Sequence, residues 1–174
     1  MSGLRIITPA KINFGLFVLN KRKDGYHNIE TILIPINLFD ELYFFPLKEK
    51  KIIIKVFGKK IKREDNLVYK AAKLFFDTFH INKGIKIILK KNIPIGCGLG
   101  GGSSDAGATL YFLNKIFDKV AKEKELYKLA EKIGMDVPFF INPKPSFASG
   151  RGEILERIKI PKLYFLLYLP KIVI

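Results

Sequence analysis

The sequence is short of the residues that staple chains together, hold metals or cross membranes. Its 174 residues include one cysteine, two histidines, two methionines and no tryptophan. The lone cysteine, Cys97, can form no internal disulfide, which fits a reducing compartment. It has no Cys or His neighbour at metal-ligand spacing and reads as a small loop residue. No apolar run approaches the ~20 residues needed to span a bilayer. The opening "MSGLRIITPAKINFG" lacks a basic segment followed by a long apolar stretch, so no signal peptide is expected. These absences point to a soluble cytoplasmic protein that makes no use of a membrane. Acids are also scarce, 16 against 31 Lys and Arg, for a net charge of +15. Such a surface favours anionic partners. The lysines, however, are scattered through segments such as "KVAKEKELYKLAEK", the pattern of solvated faces. With no stripe of aromatic and basic residues, nucleic acid is not expected as the main partner.

Large apolar residues, by contrast, are abundant. They make up 48% of the chain with fifteen Phe, enough for one domain with a real core. "RIITPAKINFGLFVL" reads as one or two strands broken near Pro9, "KRKDGYH" as a turn marked by Asp-Gly, and "IETILIPINL", "ELYFFPL" and "KKIIIKVFG" as further β structure. The period then changes. Leu67, Ala71, Leu74, Phe75 and Phe79 recur at helical spacing after Asp65 or Asn66, either of which can cap. "GIKIILKKNI" returns to strand. "SSDAGATLYFLNKIF" predicts a helix capped by Ser103 or Ser104, and "KEKELYKLAEKIG" a helix closed by Gly134. "DVPFFI", "PSFASGRGEILERI" and "KLYFLLYLP" read as β. Strands first and mixed elements afterwards predict an α+β fold.

The most informative stretch is "PIGCGLGGGSS", residues 94–104, with five glycines between a strand and a helix. Glycine permits positive φ and lets a ligand approach the main chain. A helix N-terminus adds unpaired N–H groups and a positive dipole end, which favour an anion. Together these predict a phosphate cradle. It is not the common P-loop, because no Lys follows the last glycine. Other residues say little alone. Lys11 reads as an edge lysine, Asp136 as a turn or cap aspartate, and Tyr26 and His27 as a solvated loop pair.

Taken in order, "PAKINFGL", "KDGYH", "EDNLVYKA", "PIGCGLGGGSSDAGATL", "DVPFF" and "ASGRGEIL" resemble the 4-diphosphocytidyl-2-C-methyl-D-erythritol kinases of the GHMP kinase superfamily. The glycine loop marks the superfamily; "PAKIN" and "DGYH" narrow it. The resemblance runs from residue 7 to about residue 170. It implies that residues 1–174 are a GHMP kinase N-terminal domain, a ribosomal-protein-like β-sheet packed against helices. The family's C-terminal domain would then be absent, with a second chain as one source of it. The resemblance further implies ATP and Mg²⁺ as cofactors. The γ-phosphoryl group would pass to the 2-hydroxyl of 4-diphosphocytidyl-2-C-methyl-D-erythritol, a step of the non-mevalonate isoprenoid pathway.

Site residues follow from the same resemblance. Pro94, Ile95, Gly96, Cys97, Gly98, Leu99, Gly100, Gly101, Gly102, Ser103 and Ser104 would wrap the ATP phosphates, with Asn66 near the adenine. Asp136 would take the proton from the substrate hydroxyl. Lys11 would lie beside it, holding it ionised and steadying the transferred charge. Asn13, Tyr26 and His27 would bind substrate, the last two at the cytosine. The resemblance assigns no protein ligand to the metal. Two other readings stay open: another GHMP kinase acting on a different alcohol, and a non-catalytic basic module that uses this fold on RNA.

Overall fold

The computed structural model describes residues 3–169. Strands β1 (Leu4–Lys21) and β2 (His27–Leu47) form a long antiparallel hairpin. Its turn closes with Gly25 at φ +86° and with the Tyr26 N–H donating to the Asp24 carboxylate. β1 runs unbroken through Pro9, where the sequence suggests an interruption. The ladder instead shifts register between Pro9 and Ala10, a position at which a strand tolerates a residue without an N–H.

β3 (Ile52–Phe57), α1 (Leu67–Thr78) and β4 (Gly84–Lys90) follow, with β3 and β4 parallel. Then come α2 (Gly101–Ile116), α3 (Glu123–Ile133), a 3₁₀ turn (Pro138–Ile141), β5 (Ser146–Ser149) and β6 (Ile154–Arg157). The sheet order is β3-β4-β2-β5-β6, with β1 also paired to β2. β1 takes one edge of β2 over its whole length, while β4 and β5 share the other edge.

One face of the sheet carries the helices. Leu42 and Phe44 of β2 and Ile85, Ile87 and Leu89 of β4 alternate inward, as period two demands. They pack against Val68, Ala71 and Phe75 of α1 and Leu110 and Leu113 of α2. Each large side chain so buried is worth about 1.5–3 kcal/mol. Among the described residues no helix is long and apolar enough to cross a membrane.

Three local expectations are corrected. α2 is not capped by Ser103 or Ser104; it starts at Gly101, and its N-cap is Gly100 in the left-handed region. "DVPFFI" is a 3₁₀ turn rather than a strand. Pro138 opens it, a position where a missing N–H costs nothing, and Phe139 and Phe140 go into the core. "KLYFLLYLP" forms no strand over residues 162–169. Strand propensity expresses itself only against a partner, and Leu166, 98% exposed, has none among the described residues. Pro170 of that segment lies outside the described residues.

Candidate active site

The glycine loop opens directly off β4. Gly96, Gly98 and Gly100 have φ of +77°, +71° and +70°, while Cys97 and Leu99 between them do not share the positive sign. Such alternation turns successive N–H groups toward one concavity, a nest for an anion. A Cβ at Gly96 or Gly98 would meet nothing within 4 Å, so this part of the loop faces open space. Gly100 and Gly101 are glycines for another reason. A Cβ at Gly100 would touch Phe140 at 2.9 Å and Lys11 Cγ at 3.1 Å, and one at Gly101 would touch Ile93 at 2.8 Å. The loop walls a cavity of about 370 Å³, lined by residues 94–103 and by Asn66, Leu67, Lys91 and Asp105 among others. Ser104, grouped with the loop on sequence, does not line it. Its hydroxyl donates to the Pro9 carbonyl at 2.6 Å and ties α2 to β1.

Asn66 faces the same cavity from the start of α1. Its Oδ1 accepts the Val68 N–H at 2.9 Å, so it is the helix cap, and Asp65 is not. The side-chain NH₂ of Asn66 remains for a ligand.

At the far end of the loop, the Lys11 N–H donates to the Leu99 carbonyl at 2.9 Å. The Lys11 side chain is 7% exposed, and its Nζ lies 3.6 Å from Asp136 Oδ2, in the turn after α3. Asp136 is 40% exposed and open to a ligand. Lys11 Nζ also donates to Asn13 Oδ1, two residues along the same face of β1. The structure thus brings Lys11, Asn13, Asp136 and the loop together. A carboxylate placed beside an ammonium at the edge of a phosphate nest can accept a proton from a hydroxyl as charge moves onto it.

Tyr26 and His27 are not part of this cluster. They lie at the tip of the β1–β2 hairpin, where His27 pairs with Lys21, whereas Lys11 pairs with Pro35. Tyr26 is 51% exposed, with the Arg151 guanidinium 5.4 Å from its ring centre. The β5–β6 turn also docks there, through the Ile29 N–H to the Gly150 carbonyl at 2.7 Å.

Sequence reasoning missed a buried ionic cluster under the loop. Lys91 Nζ pairs with Asp40 and, at 2.9 Å, with Asp105; all three side chains are almost wholly buried. Asp40 also accepts the N–H groups of Asn92 and Ile93, at 2.6 and 2.8 Å, and so clamps the chain where it leaves β4. The Thr8 hydroxyl donates to Asp105 at 2.8 Å. Burial pushes Asp105 up to about 7, against the pull of Lys91 and with help from the Asp40 charge. Burial lowers Lys91, but the two carboxylates outweigh it and raise the ammonium above its usual value. A signal existed: Asp40 stands two and four residues before the inward-facing Leu42 and Phe44, on the core side of β2.

A strand, an anion nest and a helix N-terminus packed on this mixed sheet define a class. Residues 66–143 match the family model of the GHMP kinases N terminal domain, and the chain carries that domain. It is similar, more particularly, to the 4-diphosphocytidyl-2-C-methyl-D-erythritol kinase of Macrococcus caseolyticus (strain JCSC5402). The two are 43% identical over 166 residues, which is 94% of this chain and 59% of that protein. A solved 4-(cytidine 5'-diphospho)-2C-methyl-D-erythritol kinase superposes with a TM-score of 0.80 at 36% identity, covering 91% of this chain and 56% of that one. Homoserine kinase from Cytophaga hutchinsonii shares the fold, with a TM-score of 0.66 at 19% identity over 92% of this chain and 53% of its own. The resemblance read from the motifs is thus borne out. The chain spans a little over half the length of the relatives it matches.

Proposed function

We propose that this chain is the ATP-binding part of a 4-diphosphocytidyl-2-C-methyl-D-erythritol kinase. The γ-phosphoryl group of ATP passes to the 2-hydroxyl of that substrate, a step of the non-mevalonate isoprenoid pathway. The observation that carries this reading is the junction of Lys11, Asp136 and the glycine loop: a 3.6 Å ammonium–carboxylate pair joined to the loop by the Lys11 N–H.

In this reading residues 94–103 hold the ATP phosphates on main-chain N–H groups, and Asn66 offers its NH₂ to the adenine. Asp136 accepts the hydroxyl proton late in the transfer, and Lys11 stabilises the charge on the moving phosphoryl group. Phosphoryl transfer needs chiefly such positioning and charge stabilisation. Asn13 contacts the substrate near its reacting hydroxyl, and Tyr26 and His27 receive the cytosine at the hairpin tip.

Mg²⁺ fits as a companion of the nucleotide. The described residues contain no group of three or more His, Cys, Asp or Glu that could cage an ion. Two carboxylates line the loop cavity: Asp105 is engaged by Thr8 and Lys91, which leaves the exposed Asp65 beside Asn66 as a single acidic group. The phosphates of ATP would therefore supply most of the metal's oxygen ligands, as is usual for Mg²⁺. The ion would neutralise phosphate charge.

Polypeptide beyond residues 1–174, on the same or a second chain, completes the cleft. An apolar surface supports this: Phe14, Leu16, Phe17 and Val18 of β1 are each more than half exposed. The deciding experiment is titration of the purified chain with Mg·ATP and 4-diphosphocytidyl-2-C-methyl-D-erythritol, following binding and ADP release. ADP release that depends on the diphosphocytidyl substrate supports the full reading. ATP binding without release supports a nucleotide-binding half that needs its complement. No ATP binding by the folded chain would sink it.

A further inference from the structure

We infer that Thr31 is a positioning residue for the Lys11–Asp136 pair, acting through the side-chain amide of Asn13. Its consequence for catalysis rests on the kinase reading; its geometry does not.

Thr31 lies on β2 where three strands meet, opposite Leu16 of β1 and Ala148 of β5, and is 3% exposed. Across from it β1 carries a bulge. Phe14 pairs with Ile32 and Leu16 with Thr31, and Gly15 between them is skipped, at φ +71°. A bulged residue leaves its ladder groups unpaired. Here the Gly15 carbonyl is satisfied by the Thr31 hydroxyl, which donates to it at 2.5 Å.

That single bond settles the rest of the network. A hydroxyl has one proton, and a carbonyl can only accept. With its proton given to Gly15, the Thr31 oxygen can only accept from Asn13, whose Nδ2 approaches to 3.1 Å. The amide of Asn13 is thereby oriented, and its Oδ1 must point the other way, toward Lys11. An ammonium can only donate, and Lys11 Nζ does donate to Asn13 Oδ1. The flipped amide would set NH₂ against NH₃⁺ and push the ammonium off its place beside Asp136. A hydroxyl four positions along β2 from the residue opposite Lys11 thus fixes the ammonium. It also leaves the second N–H of Asn13 free for a substrate oxygen.

The test uses Thr31→Val, which keeps the shape and removes the hydroxyl, and Thr31→Ser, which keeps the hydroxyl. The reactivity of Lys11 is read by trace acetic anhydride labelling and mass spectrometry on folded protein, and needs no activity. Thr31→Val should raise Lys11 acylation severalfold and Thr31→Ser should not. In an Asn13→Ala background Thr31→Val should have no further effect, because the intermediary is gone. Unchanged acylation in Thr31→Val, or the same change with and without Asn13, would overturn the proposal; the second result would assign Thr31 to the bulge alone.

Should Thr31→Val fail to fold, the unsubstituted protein still decides. Nuclear Overhauser contacts from the Asn13 Nδ2 protons should reach the Thr31 methyl and not the Lys11 ε-methylene; the reverse pattern would refute the orientation. In a phosphoryl-transfer assay Thr31→Val should lower kcat on the order of 10–100-fold, the scale of small misplacements. KM for ATP should stay within about twofold, since that interaction is untouched. If the unsubstituted chain transfers no phosphate, the kinase reading suffers, and the labelling and Overhauser results judge Thr31 without it.

Discussion

Lys11 on the first strand and Asp136 in the turn after the third helix meet at 3.6 Å, with the backbone of Lys11 bonded to the last turn of the glycine loop. A carboxylate so placed is replaceable without loss of the fold, because Asp136 is 40% exposed. Asp136→Asn should lower turnover by roughly 10²–10⁴-fold, the span of a lost general base. ATP affinity should hardly change. Calorimetric titration beside an ADP-release assay separates the two; unchanged turnover would remove Asp136 from the reaction.

The glycines of the loop should divide by what their missing Cβ would meet. Gly101→Val drives into Ile93, so it should destabilise by about 1–3 kcal/mol, as overpacking does. It is therefore a poor probe of phosphate approach. Gly102 is exposed, and its Cβ would make only an ordinary contact with Leu67, at 3.5 Å. Gly102→Val should weaken ATP binding with a smaller loss of melting temperature. Equal loss of stability in both variants would contradict this division.

Asn66 should separate its two tasks by substitution. Asn66→Asp keeps an acceptor for the Val68 N–H and removes the NH₂. Helix stability should survive while ATP affinity falls. Asn66→Ala loses both, at a cost of about 1 kcal/mol for the cap. Thermal melting and nucleotide titration of the pair check the separation.

The buried cluster should give stability a pH dependence of definite sign. Asp105 is raised from 3.8 to about 7 in the fold, by burial first. Between those values the folded chain holds a proton that the unfolded chain has lost. This contribution is fully present below pH ~4 and is lost as pH rises through about 7. Denaturant unfolding from pH 4 to 8 should show Asp105→Asn with a flatter profile than the unsubstituted protein. Lys91→Met, which leaves Asp40 and Asp105 buried without their cation, should cost about 3–5 kcal/mol at neutral pH.

The exposed apolar stretch of β1 should drive self-association. Phe17 and Val18 are 66% and 62% exposed on the outer half of the hairpin. Exposed apolar side chains of this kind promote contact between molecules. The double substitution Phe17→Ser with Val18→Ser should shift sedimentation toward the monomer and leave ATP binding unchanged.

Local physics made much of this protein legible from its residues. Runs of strand-forming residues between turn signals announced the β structure of β1 to β4, helical spacing and end signals placed α1 to α3, and five glycines before a helix announced the nest, because each depends on neighbours a few positions away. The order of the motifs then carried the kinship. Other features depended on partners distant in the chain. Lys11 and Asp136 are ordinary residues until the sheet and the turn after α3 bring them together. Thr31 orients an amide only because β1 bulges opposite it. "DVPFFI" became a 3₁₀ turn because its phenylalanines fill space against α2, and residues 162–169 form no strand because strand propensity needs a ladder to act on. The sequence by itself determined the elements, the loop and the family. Only the tertiary structure decided which charges are buried together and which side chains face one another, since burial and hydrogen bonding depend on contacts that spacing along the chain does not encode.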